Sequence, residues 1–128
     1  MHVQPLPPRR KRILIVEDEP ASADLLAEFL RPLYDVSVAR DGVEGIEQAL
    51  HWAPDLLISD VSMPRLSGLE MVRHLRLREG MKAPVIFLTA LGSPADVIEG
   101  ISAGARNYLT KPVDLSDLKK RVARALEQ

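Results

Sequence analysis

The sequence predicts an α/β fold: a doubly wound, five-stranded parallel sheet in the order 2-1-3-4-5, with helices on both faces. Three observations predict it. Five short apolar runs alternate with stretches of helical spacing. Most of those stretches open on residues suited to capping a helix. The runs also differ in how apolar they are, as central and edge strands do. A chain of 128 residues suits one domain.

The chain opens on a flexible leader, residues 1–10, with Pro5, Pro7 and Pro8, and the domain proper spans 11–128. Proline opposes helix there. The basic run Arg9, Arg10, Lys11, Arg12 reads as a solvated arm ahead of a buried strand. The first strand is the wholly apolar run 13–16, and Leu25, Phe29 and Leu30 share one face of the helix after it. The second run, 36–39, alternates Val36 and Val38 with Ser37, which suits an edge. Asp41 with Glu44 resembles a capping box for a helix whose apolar face is Val43, Ile46 and Leu50. The run 56–59 is central, and Ser67 with Glu70 caps a helix marked by Val72 and Leu75. The run 85–88 is again central. Ser93 with Asp96, and Pro94 at the position a helix tolerates best, open a helix through Val97, Ile98 and Ile101. The run 107–110 is more polar and suits the other edge. Asp114 with Asp117 caps a last helix built on Leu115, Leu118, Val122 and Leu126.

Composition excludes several functions. No cysteine means no disulfide and no thiolate metal site. No run approaches the roughly 18 apolar residues of a membrane span, and no apolar stretch of signal-peptide length follows the basic run. A cytoplasmic location with no membrane partner is expected. The basic run holds four of the seventeen basic residues, leaving thirteen against eighteen acidic ones, a net of −5 for the rest. That acidic body argues against direct contact with nucleic acid. There is no glycine-rich nucleotide loop. His2, His51 and His74 lack metal-site spacing and read as surface residues, and Trp52 beside Pro54 reads as packing at a turn.

In a sheet of this order, ligands bind beyond the carboxyl ends of the strands, where the order reverses. Those ends carry Glu17, Asp18 and Glu19 after the first run, Asp60 after the third, Thr89 after the fourth, and Thr110 and Lys111 after the fifth. The first and third strands are neighbours, so Glu17, Asp18 and Asp60 converge. Two like charges about 4 Å apart cost about 4 kcal/mol at an effective dielectric near 20. A hard divalent cation offsets such a cluster, and Mg²⁺ prefers oxygen ligands. Asp41 ends an edge strand and is given the helix cap alone.

Five segments in this order resemble the receiver domain of two-component response regulators, over about residues 11–127: Ile13-Leu14-Ile15-Val16-Glu17-Asp18-Glu19; Ser59-Asp60-Val61-Ser62-Met63-Pro64 with Gly68; Leu88-Thr89-Ala90; Gly104-Ala105; and Tyr108-Leu109-Thr110-Lys111-Pro112. The resemblance implies a flavodoxin-like fold and a phosphoryl group taken onto Asp60 from a sensor histidine kinase or a histidine phosphotransfer protein. It implies Mg²⁺ or Mn²⁺ held by Asp18, Asp60 and the Ser62 carbonyl, with Glu17 acting through water. It gives Lys111 and Thr89 the phosphoryl oxygens, makes Thr89 and Tyr108 the switch pair, and makes the Lys111–Pro112 bond cis. The output face would be the helix around 97–101 with the last strand and last helix, read out as partner binding or a phosphorylation-dependent homodimer. Leu91, lacking a donor or acceptor, would slow attack by water on the phosphoryl group.

Two other functions compete. An aspartyl-phosphate hydrolase usually needs a second carboxylate two residues after the nucleophile, and that position is Ser62. A degenerate receiver acting as a constitutive binding module would lack key residues, and they are all present.

Overall fold

A computed structural model describes residues 9–90 and 107–127. Among them the elements run β1 (Arg12–Val16), α1 (Pro20–Leu30), β2 (Asp35–Ala39), α2 (Gly42–Trp52), β3 (Leu56–Asp60), α3 (Gly68–Leu77), β4 (Val85–Thr89), β5 (Asn107–Thr110) and α4 (Leu115–Leu126). The strands form one five-stranded sheet in the order β2-β1-β3-β4-β5, parallel throughout. That is the expected order, with the less apolar runs at the edges. The expected helix through Val97, Ile98 and Ile101, its Ser93 and Pro94 start, Leu91, and Gly104-Ala105 lie outside the described residues. So do His2 and the three leader prolines.

The period of two along each strand divides the core in two. Leu14, Val16, Leu57 and Phe87 face α2 and α3, where Met71, Val72 and Leu75 meet them. Ile13, Ile15, Ile58 and Ile86 face the other way, onto Leu26 and Leu30 of α1 and Leu118 and Val122 of α4. Each fully buried aliphatic side chain stabilises the fold by about 1.5–3 kcal/mol. All three described caps form, but of the three expected capping boxes only the Ser67–Glu70 pair closes both bonds. Asp41 Oδ1 accepts from the Glu44 amide at 2.8 Å and Asp114 Oδ1 from the Asp117 amide at 3.1 Å. Ser67 and Glu70 make both bonds of a capping box, at 3.1 and 3.2 Å.

Two helix faces differ from the expectation. In α1 the buried residues are Ala23, Leu26, Ala27 and Leu30, while Leu25 is 55% exposed and Phe29 half-buried. In α2 they are Gly42, Gly45 and Ala49, whereas Val43 and Leu50 are about half exposed and Ile46 half-buried. Small residues bring α2 close to its neighbours, so its larger apolar side chains are turned outward. Leu118 and Val122 of α4 are buried as expected, with Leu115 and Leu126 partly so.

At the amino ends of the strands, Asp55 ties the basic run down. Its Oδ2 accepts from the Arg12 amide at 2.8 Å and lies 3.3 Å from Arg9 Nη1. Arg12 donates to the Trp52 carbonyl at 2.6 Å, its guanidinium 5.6 Å from the Trp52 ring centre. Arg10 donates to the Arg31 carbonyl at 2.6 Å.

Candidate functional site

The opposite end of the sheet gathers the polar residues. Glu17 follows β1 directly and is fully buried, its amide fixed by the Ala39 carbonyl at 3.0 Å. Asp18 is next and exposed. Asp60 ends β3 and is 3% exposed. One carboxylate oxygen from each of Glu17, Asp18 and Asp60 lies within 4.8 Å of the other two.

Lys111 reaches them from beyond β5. Its Nζ lies 2.7 Å from Asp60 Oδ1 and 3.1 Å from Glu17 Oε1. The approach to Asp60 is an ion pair without the angle of a hydrogen bond, so the buried Asp60 Oδ1 accepts none among the described residues. Three carboxylates against one ammonium leave a formal charge of −2. Three carboxylate oxygens gathered within 4.8 Å, with negative charge in excess of the one ammonium, are the donor set a hard divalent cation fits, and carboxylates suit Mg²⁺ and Mn²⁺.

Thr89 ends β4, 3% exposed, its hydroxyl donating weakly to the Ala90 carbonyl at 3.3 Å. Asp60, Ser62, Leu88, Thr89, Ala90 and Lys111 line a cleft of about 90 Å³. Tyr108 does not line it. Its ring stacks on Phe87 with centres 5.8 Å apart, and its buried hydroxyl has no hydrogen-bond partner among the described residues. Burial pushes the Tyr108 phenol above its ordinary value of 10.0. Asp41 caps α2, as expected, and its Oδ2 lies 3.4 Å from Arg65. The Lys111–Pro112 peptide bond is cis.

Sequence reasoning missed two features of this end. The first is the second partner of Lys111: Glu17 engages its ammonium through both oxygens, at 3.1 and 3.5 Å. The second is the steric demand at Gly68. A Cβ there would stand 1.9 Å from the Asp60 carbonyl oxygen, so the start of α3 closes onto the backbone of Asp60 only because that position has no side chain. The Gly68 amide completes the closure by donating to the Val61 carbonyl at 2.8 Å.

A family model described as the response regulator receiver domain matches residues 13–123. The chain is 40% identical over 119 residues to the DNA-binding dual master transcriptional regulator RpaA of Synechocystis sp., covering 91% of this chain and 49% of that protein. It is 42% identical over 118 residues to the response regulator MprA of Mycobacterium leprae, covering 91% and 51%. The chain thus spans about half the length of the curated relatives it matches. Among solved structures, the chemotaxis protein CheY4 of Vibrio cholerae superposes with a TM-score of 0.85 at 33% identity, over 91% of this chain and 99% of that one.

Proposed function

Because the chain belongs to the response regulator receiver domain family of two-component systems, we propose that it is a phosphoacceptor switch whose acceptor is Asp60. One observation carries this reading: a buried strand-end carboxylate, Asp60, set among two further acids with the Lys111 ammonium 2.7 Å from its Oδ1.

Asp18, Asp60 and the Ser62 carbonyl would hold Mg²⁺ or Mn²⁺, with Glu17 acting through water. The bound cation would neutralise phosphoryl oxygens and hold them in line for attack. Asp60 supplies the attacking oxygen. An O–P bond forms as the P–N bond to a donor imidazole breaks, and the imidazole leaves with the electron pair and takes up a proton. Lys111 neutralises charge on the incoming group from the opposite side. The Thr89 hydroxyl exchanges its weak bond to Ala90 for a phosphoryl oxygen, and Tyr108 repacks with it. The product is a mixed anhydride that water cleaves, which suits a reversible signal. The chain assists its own phosphorylation and dephosphorylation and acts as a switch rather than a turnover enzyme.

The donor is a sensor histidine kinase or a histidine phosphotransfer protein. A groove of about 340 Å³ beside Lys111, lined by Ala21, Leu25, Pro112 and Val113, supports a docked protein at this end. The output is a changed partner surface or a homodimer, with Tyr108 and α4 on the responding side. The likeness to the DNA-binding RpaA favours transcription as the output, with the acidic body of this domain not itself touching nucleic acid. We place the receiver at 11–128 behind the leader 1–10, and in the cytoplasm; among the described residues no helix is long and apolar enough to cross a membrane.

Incubation with acetyl phosphate and Mg²⁺, read by intact mass, tests the assignment. The parent should gain one phosphoryl adduct and Asp60→Asn none. An adduct that survives in Asp60→Asn would sink it.

A further inference from the structure

The segment 61–67, between Asp60 and α3, carries Ser62 on the wall of the cleft. Its two ends are held by different devices. Near Asp60, the Gly68 amide bonds the Val61 carbonyl at 2.8 Å, and the Val61 amide bonds the Leu88 carbonyl at 2.9 Å. The far end rests on α2. Arg65 has a φ of 70°, a left-handed conformation uncommon in a residue with a side chain. The Leu66 amide then donates to the Pro64 carbonyl at 2.8 Å. This tight turn folds Leu66 back onto Gly42, in the first turn of α2. A Cβ on Gly42 would stand 2.9 Å from Leu66 Cδ2 and 3.0 Å from both its Cβ and Cγ. Beside that contact, Arg65 Nη2 lies 3.4 Å from Asp41 Oδ2, on the residue that caps α2.

We infer that the seat formed by Gly42 for Leu66 is a positioning device for the metal site: it fixes the segment 61–67 and thereby the Ser62 carbonyl. The inference rests on the reading of Ser62 as a ligand carbonyl. Neither Gly42 nor Leu66 lines the cleft, so both act through the segment. A methyl group on Gly42 meets the root of the Leu66 side chain as well as its tip. A rotamer change alone cannot clear the contact at the Leu66 Cβ, so the segment or the start of α2 has to give by a few tenths of an ångström. Mg²⁺ demands near-octahedral geometry, so a ligand carbonyl displaced by a fraction of an ångström weakens binding. Groups that orient ligands commonly change metal affinity by about tenfold or more when altered.

The test is calorimetric titration with Mg²⁺ alone, with melting in EDTA to report the fold separately. Gly42→Ala should bind Mg²⁺ about tenfold more weakly than the parent while still melting cooperatively in EDTA. Leu66→Ala, which empties the seat without adding an atom, should also bind Mg²⁺ more weakly than the parent. A role in packing alone would move the melt and leave Mg²⁺ binding untouched. Gly42→Ala affinity within about twofold of the parent overturns the inference. Should Gly42→Ala fail to fold, Leu66→Ala alone removes the contact without a clash, and parental Mg²⁺ affinity in that variant overturns it equally. A parent that binds no Mg²⁺ takes down the metal reading itself, and this inference with it.

Discussion

At the amino ends of the strands, Asp55 receives the Arg12 amide at 2.8 Å and faces Arg9 at 3.3 Å, while Arg12 lies over Trp52. At the carboxyl ends, Glu17 and Asp60 share the ammonium of Lys111, and the Asp18 carboxylate lies beside them. Both ends collect carboxylates against the same sheet, yet only the first supplies each with its own partners. The amino end is settled by the protein alone. Among the described residues the carboxyl end keeps an excess of negative charge, three carboxylates to the one ammonium. Charge left unmatched in a fold is stability set aside for a ligand, and its location separates a working end from a structural one.

The contrast can be broken by substitution. The largest effect is expected at Gly68, where an added Cβ collides with backbone. Gly68→Ala should cost about 3 kcal/mol, measured by urea unfolding, because the start of α3 has to move off Asp60. A cost below about 1 kcal/mol would show that this closure has slack.

Next in size is a pair of opposite signs. Asp60→Asn removes a buried charge from the overloaded end and should raise stability in EDTA by about 1–2 kcal/mol. Asp55→Ala removes a matched acid and should lower it by about 1–2 kcal/mol. A fall in melting temperature for Asp60→Asn without metal would mean that Lys111 already balances the carboxyl end. The contrast between the ends would then disappear.

The smallest effect concerns Tyr108. Its folded-state phenol titrates above the unfolded value near 10, because burial disfavours the phenolate. Its contribution is therefore complete below pH about 10 and declines as pH rises from there toward the folded-state value. Tyr108→Phe should lie within about 1 kcal/mol of the parent at neutral pH, since the hydroxyl given up is buried and has no partner among the described residues. It should also lose less stability than the parent above pH about 10. Parallel alkaline melting profiles for the two proteins would contradict this.

Much of this was legible in the residues. The sheet order followed from the grading of apolar runs, because a strand covered on both faces has to be almost wholly apolar, as 13–16 is and as 56–59 is but for Ser59. The convergence of Glu17, Asp18 and Asp60 followed from that order. Val43 and Leu50 misled because hydropathy marks large side chains, whereas α2 is buried through Gly42, Gly45 and Ala49, which carry almost no such signal. The pairing of Lys111 with Glu17, and of Asp55 with Arg9 and Arg12, joins residues far apart in sequence, and no local pattern records it. The steric role of Gly68 depends on where a neighbouring carbonyl points, which only three dimensions supply.

The cleft at Asp60 has a further consequence through its size. About 90 Å³ lies well below the roughly 300 Å³ at which pockets for small organic ligands begin. On the proposed reading it would act as a gauge, passing the transferred group and the tip of its carrier and stopping larger groups at the exposed rim of Ala90. Donors as unlike as a small acyl phosphate and a whole protein would then be equivalent once inside. Discrimination between them has to be made by surfaces the reaction never touches, so fidelity and chemistry can change independently of one another.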